Sequence, residues 1–179
     1  MKRRHPIIRF FKHLVSNPWQ VRSYFSLQSL HNIEKAIEVS ETKHGGEIRF
    51  VVEAGLHPYE ILFHKTPKKR AIELFGRLNI WDTEQNNGVL IYLLLADRDV
   101  EIVADRGIHQ HVGQEGWEEI CHEMESMFRR GEFEAGVLQG IAKISAALAL
   151  YFPPISAKET KNKTSRKKRN EISNKPLIL

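Results

Sequence analysis

A chain of 179 residues with 41% hydrophobic content is the size of one packed domain with appendages. Its net charge of +5 is unevenly placed: residues 1–25 carry six Lys or Arg and no Asp or Glu, residues 156–179 carry eight against two, and residues 26–155 carry 13 against 20. The single cysteine, Cys121, excludes an internal disulfide framework, and the longest apolar run, "GVLIYLLLA", falls well short of the ~18–20 residues that cross a bilayer.

An acidic body, 26–155, is therefore expected between a basic, partly helical arm, 1–25, and a basic, flexible tail, 156–179. "MKRRHPIIRFFKHLV" opens like a secretory signal, but Arg9, Lys12 and His13 interrupt its apolar stretch and no small-residue cleavage site follows. The expectation is a cytoplasmic protein, at most peripheral to the inner membrane. Within the arm, Ile8, Phe11 and Val15 recur at helical spacing and are expected to pack onto the domain, with an interfacial lipid anchor as the alternative. Asn17-Pro18 should end that helix.

Ser26 is a candidate N-cap for a helix to about Lys43, with Leu27, Leu30, Ile33, Ala36 and Ile37 on one face and "HGG" as its stop. "EIRFVVEA" alternates as a strand does. "GLHPYEILFHK" reads equally as a loop or a short extended piece. Thr66-Pro67 predicts a helix start, burying Ala71, Phe75 and Leu78. After the polar "WDTEQNN" comes "NNGVLIYLLLADRDVEIVADRGI". Its first strand, Val89–Leu95, lacks polar alternation, as a central strand covered on both faces would. Val100–Ala104 folds back beside it through "ADRD". A helix is expected from Glu115 to Arg129 with Trp117, Ile120, Cys121, Met124 and Phe128 inward. A second follows with Phe133, Val137, Ile141, Ile144 and Leu148 on its core face. Gly136 and Gly140 should mark a close helix contact. The final "PLIL" can dock on a sheet edge or on a partner. This order predicts an α/β fold, a three-layer α/β/α sandwich with a mixed central sheet.

Three stretches, "IEKAIEVSETKHGGEIRFVV", "AIELFGRLNIWDTEQNNGVLIYLLLADRDVEIVADRGI" and "MFRRGEFEAGVLQGIAKI", together resemble the TPM domain family over Ser26 to Phe152. The family includes a thylakoid-lumen acid phosphatase and many bacterial proteins. The resemblance implies a Rossmann-like α/β/α sandwich, calcium in some members and phosphatase activity in a few. This chain resembles a soluble bacterial subgroup without a signal peptide. It departs from the family where Asn86-Asn87-Gly88 replaces Asp-Asn-Gly and Asp105-Arg106-Gly107 replaces Gly-Tyr-Gly. The Asp-containing opening of many secreted members, before the first helix, is also missing from "VRSYFSLQSLHN". That loss and Asn86 remove two negative oxygen ligands, and calcium favours six to eight oxygens with several carboxylates.

The hairpin brings the start of one strand beside the end of the next. Asn86, Asn87, Gly88, Asp105, Arg106, His109 and His111 thus form the candidate ligand rim. There Asp105 could accept a proton or bind a cation, Arg106 could clamp a phosphate, and either histidine could act as acid, base or nucleophile. An anion could meet free N–H groups at the following helix. The competing reading is that these residues only shape strand entry and exit. His109 and His111, two apart on an extended loop, could share a zinc with His122 or Glu118, though the set fits no recognisable zinc spacing.

The reading that follows is a non-catalytic interaction module without a cofactor, calcium being the one considered. Its expected partner is a protein, with a membrane protein among the candidates, and an anionic membrane surface is a second partner. A metal-assisted phosphatase is the alternative. Nucleic-acid binding through the basic arms is weaker still, because no aromatic residue interrupts "KETKNKTSRKKR".

Overall fold

The computed structural model describes residues 6–154 and 170–179. The charged run 158–169 and the first five residues lie outside them. The elements in chain order are α1 (Pro6–Leu14), α2 (Pro18–Tyr24), α3 (Leu27–Glu41), β1 (Glu47–Glu53), α4 (Pro58–Leu62), α5 (Pro67–Arg77), β2 (Gly88–Leu94), β3 (Asp99–Ala104), α6 (Arg106–Arg129), α7 (Phe133–Tyr151) and β4 (Leu177–Ile178).

The sheet order is β3-β2-β1-β4. β1 runs parallel to β2 and to β4, and β2 pairs antiparallel with β3, so the sheet is mixed. One face of the sheet, with Ile48, Phe50, Val52, Ile91 and Leu93, packs against α2, α3, α6 and α7. The other, with Val51, Leu90, Tyr92 and Leu94, packs against α4 and α5. Every residue of β2 is buried, and the cover on both faces is why that strand has no polar alternation. β3 is an edge, and α6 lies along it: the Val100 N–H donates to Glu125 Oε1 at 3.4 Å. Satisfying an edge in this way keeps it from pairing with another chain.

Local signals explain most helix starts. Ser26 Oγ accepts from the Ser29 N–H, and Thr66 Oγ1 accepts from the Lys69 N–H ahead of Pro67. Asn17-Pro18 does end α1, but it also opens α2, since the Asn17 side chain accepts from the Gln20 N–H with Pro18 at the first helical position. "GLHPYEILFHK" contains the short α4, whose His57 and Glu60 form a reciprocal cap.

Residues from both basic arms enter the packing. Val21 and Phe25 are fully buried, and Ile172 is nearly so. β4 is the docked end of "PLIL": the Leu179 N–H donates to Val52 O and the Ala54 N–H to Leu179 O. Arg49 holds the approach to it by donating to Lys175 O at 2.7 Å and to Ser173 O.

The helical face is tightly closed. A Cβ on Gly136 would lie 2.6 Å from Phe128 Cε1, and one on Gly140 would lie 2.4 Å from Met124 Sδ. The two glycines therefore let α7 approach α6. Replacing Gly140 with alanine should displace the buried Met124 and cost about 1–3 kcal/mol, read as a lower thermal midpoint. α7 is long and apolar enough to cross a membrane by length and composition, yet Val137, Ile141, Ile144 and Leu148 are buried in this core.

Two expectations need correction. The helix expected from Glu115 begins at Arg106, with a break in helical geometry at Gly113 (φ 72°, ψ 171°). Glycine takes that left-handed φ without steric penalty, so about two turns of helix continue on its N-terminal side. In α1, Ile8, Phe11 and Val15 do not pack onto the domain; all three are exposed. Arg9 and His13 face inward instead, for the reason given next.

Candidate functional site

The hairpin brings the rim together as its register requires. Val89 sits opposite Ala104, and the Asp105 N–H donates to Gly88 O at 2.8 Å. Asn86 adopts a left-handed φ of 53° at the entry to β2. Gly88 and Gly107 permit the crossing: a Cβ on Gly88 would lie 2.0 Å from Ile80 O, and one on Gly107 would lie 2.4 Å from Asn86 O. Both positions exclude any side chain.

Asn87 and one oxygen of Asp105 are engaged in local structure. Asn87 is buried, its N–H donates to Thr83 Oγ1 at 3.0 Å, and its side-chain amide donates to Gln85 Oε1 at 3.3 Å. Asp105 caps α6, its Oδ1 accepting from the Arg106 N–H at 2.7 Å, while its Oδ2 is buried without a hydrogen-bond partner among the described residues. The helix start where an anion was expected is thus served by the chain's own carboxylate. The Arg106 side chain is exposed and forms no ion pair with Asp105.

His109 and His111 lie on a helix and not on an extended loop, which corrects the geometry expected for a shared metal. Two positions apart on a helix, they point in widely different directions. The His111 ring stacks on Tyr151 with centroids 4.3 Å apart and an interplanar angle of 11°. Among the described residues, no group of three or more His, Cys, Asp or Glu side chains is arranged to hold a metal ion. For calcium the donors at the rim do not fit: two asparagines and one carboxylate that already caps a helix are far from a six- to eight-oxygen cage. Cys121 is buried; burial, then the Glu101 charge, push its thiol up to about 12, so it has little thiolate character.

The opposite end of the sheet holds two charged clusters that the sequence reading missed. In the first, Arg70 grips Glu53 with two hydrogen bonds, Nε to Oε2 at 2.9 Å and the second guanidinium nitrogen to Oε1 at 2.8 Å. The Tyr92 hydroxyl donates to Glu53 Oε2 at 2.7 Å. The Glu53 hydrogen bonds raise the Arg70 pKa, and burial, then the Glu53 charge, raise that of Tyr92. Lys65 extends the cluster to Glu60 and Glu73 at 2.7 and 2.6 Å.

The second cluster seats α1. Asp97 Oδ2 accepts from Arg9 Nε at 2.9 Å and lies 3.2 Å from His13 Nε2. His13 Nδ1 accepts from the Leu56 N–H at 2.9 Å, so the ring proton must be on Nε2, where it faces Asp97. Burial would raise the Asp97 pKa, but the His13 hydrogen bond and the Arg9 charge outweigh it and hold the carboxyl at about 2. Beside this seat opens a cleft of about 540 Å³ with Lys12, Val15, Ser16, Arg98 and Arg129 on its walls. Since Arg9 and His13 engage Asp97, the cleft presents mainly the cations Lys12, Arg98 and Arg129, the last with Glu125 Oε2 at 3.7 Å.

With this geometry in view, a family model for the TPM domain matches residues 21–147. The chain belongs to the TPM domain family. Its α/β architecture is that of other TPM-fold proteins. It is 27% identical to the BA42 protein of the psychrophilic bacterium Bizionia argentinensis, whose NMR structure matches with a TM-score of 0.70 over 87% of this chain and 95% of that one. The N-terminal domain of a protein from P. gingivalis is 16% identical with a TM-score of 0.56, covering 83% of this chain and 93% of that domain, a likeness of fold alone. No curated protein matches. The rim lies inside the matched TPM segment, whereas α1 and β4 lie outside it.

Proposed function

We propose that this TPM domain is a non-catalytic interaction module that works at the inner face of a membrane, with membrane-associated proteins or the membrane surface as its partners. The observation that carries the reading is the state of the rim. Asp105, the one carboxylate among the seven candidate residues, caps α6 through Oδ1 and keeps Oδ2 buried without a partner among the described residues, and Asn87 is hydrogen-bonded within its own turn. His109 and His111 diverge around a helix. General acid–base work needs such groups within hydrogen-bond reach of one reacting atom. The rim fixes how the hairpin enters and leaves the sheet, and the partner-binding role falls to the surface.

The second reading, phosphoester hydrolysis, draws on the exposed Arg106 next to Asp105 and on the family's phosphatase members. Incubating the purified chain with p-nitrophenyl phosphate, with and without calcium or magnesium, tests both. The expected result is no turnover above buffer in any condition. Turnover that Asp105→Ala and Arg106→Ala each abolish would establish a hydrolase at the rim and remove the module reading.

A further inference from the structure

The apolar pattern of α1 faces outward. Ile7, Ile8, Phe11, Leu14 and Val15 form one stripe, each between 51 and 65% exposed. At 100° per residue they span a continuous arc opposite Arg9 and His13, the two side chains that bind Asp97. The outward orientation is therefore built in: turning the stripe onto the domain would pull the Arg9 guanidinium and the His13 ring away from a buried carboxylate. α1 packs beside α4, which adds Tyr59, Leu62 and Phe63, each between 63 and 67% exposed. Trp19 follows at the start of α2, 77% exposed, with the Arg22 guanidinium 5.6 Å from its ring centroid. A concentration of large apolar side chains on this scale is unusual for a surface that meets only water.

The charge around these side chains selects the occupant. No Asp or Glu occurs before Glu34. The carboxylates nearest the face are already paired, Asp97 with Arg9 and His13, and Glu60 with Lys65. Lys12 is exposed at the margin of the stripe, and it lines the cationic cleft together with Arg98 and Arg129. Val15 belongs to both the stripe and the cleft wall, so apolar and cationic features adjoin. A second copy of the same face would set these cations against each other. An anionic bilayer neutralises them and takes up the apolar side chains, with Trp19 and Tyr59 suited to the boundary between acyl chains and headgroups.

We propose that the outward face of α1 and α4 is a docking surface for an anionic phospholipid bilayer, with Phe11, Trp19, Leu62 and Phe63 entering the acyl boundary and Lys12, Arg98 and Arg129 meeting lipid phosphates. The proposal rests on the module reading and names its partner. The helix that carries most of the surface lies outside the matched TPM segment.

The test is co-sedimentation of the full chain with vesicles of phosphatidylcholine alone or mixed with phosphatidylglycerol. Binding is expected to the mixed vesicles, with a blue shift of tryptophan emission, and to weaken as salt rises. The double variant Phe11→Ser, Leu62→Ser alters only exposed positions, so its circular dichroism and thermal midpoint should match the parent while its vesicle affinity falls by about tenfold or more. Arg98→Gln with Arg129→Gln should weaken binding several-fold and flatten its salt dependence. A parent chain that stays off the mixed vesicles overturns the proposal, as does unchanged binding by the Phe11, Leu62 variant. Self-association that this variant abolishes, without vesicle binding, would overturn it in favour of a second copy. Recovery with native membranes but not with protein-free vesicles would overturn it in favour of a protein partner while leaving the module reading standing. Only rim-dependent phosphoester turnover removes that reading itself.

Discussion

Replacing Glu53 with alanine is expected to lower the stability of the domain by about 3–5 kcal/mol, because it leaves the Arg70 guanidinium and the Tyr92 hydroxyl without their acceptor. Both partners are mostly enclosed, Arg70 beneath α5 and Tyr92 within β2. The guanidinium there loses two charge-assisted hydrogen bonds, keeps only the longer pairs to Glu60 and Glu73 at 3.9 and 3.8 Å, and regains little hydration. Urea unfolding of the variant would read the loss as a lower midpoint. Tyr92→Phe removes one hydrogen bond of the same set and should cost only about 1–2 kcal/mol. The decisive comparison is the pair Glu53→Leu, Arg70→Met, which removes both charges together. If the penalty of the single change is the cation's lost carboxylate, the pair should recover much of it. If the pair is as unstable as Glu53→Ala, the cost lies in packing at the end of β1 and the electrostatic account fails.

The fate of Glu53 also shows where the sequence stops being informative. In "EIRFVVEA" it occupies a position of the alternation that reads as facing solvent, and nothing local says that α5 will cover that face and supply Arg70 from 17 positions further on. What was legible rested on local chemistry. Ser26 and Thr66 cap helices because a side-chain oxygen reaches an N–H three residues away, and the Val89–Leu94 run is apolar because both faces of the central strand are covered. The rim was legible for the same reason, since hairpin pairing places Asn87 near Asp105 whatever else the chain does. Its chemical content was not. Asp105 looks the same in sequence whether it caps a helix or binds a cation, and Gly113 disguised the first two turns of α6 as loop. α4 and β4 are too short to carry a period, five and two residues long. α1 is the most instructive case. Its pattern defines an apolar arc and a polar arc equally well whichever way the helix is turned, and the residue that decides, Asp97, lies 88 positions from Arg9.

That residue carries the second large effect. Asp97→Asn is expected to unseat α1 and to remove an acid transition present in the parent. The sign follows from the depressed carboxyl. A group held at about 2 in the folded chain, against an ordinary aspartate near 4, contributes stability that is fully present above the ordinary value and is lost as pH falls from there towards 2. The shift corresponds to about 2 kcal/mol, a quantity that a peripheral helix of nine residues feels strongly. Amide exchange resolves the event by position. As pH falls through that window, the parent should lose protection in α1 and at Leu56, whose N–H depends on His13 Nδ1, while β2 keeps its protection. In Asp97→Asn the same amides should exchange faster already at neutral pH and show little further response to acid. Protection of α1 that is indifferent to both the substitution and the pH would mean that Asp97 does not hold the helix. The outward turn of Ile7, Phe11 and Leu14 would then need another cause. If the account holds, the docking surface depends on one buried carboxylate, and acidification releases α1 before it unfolds the sheet.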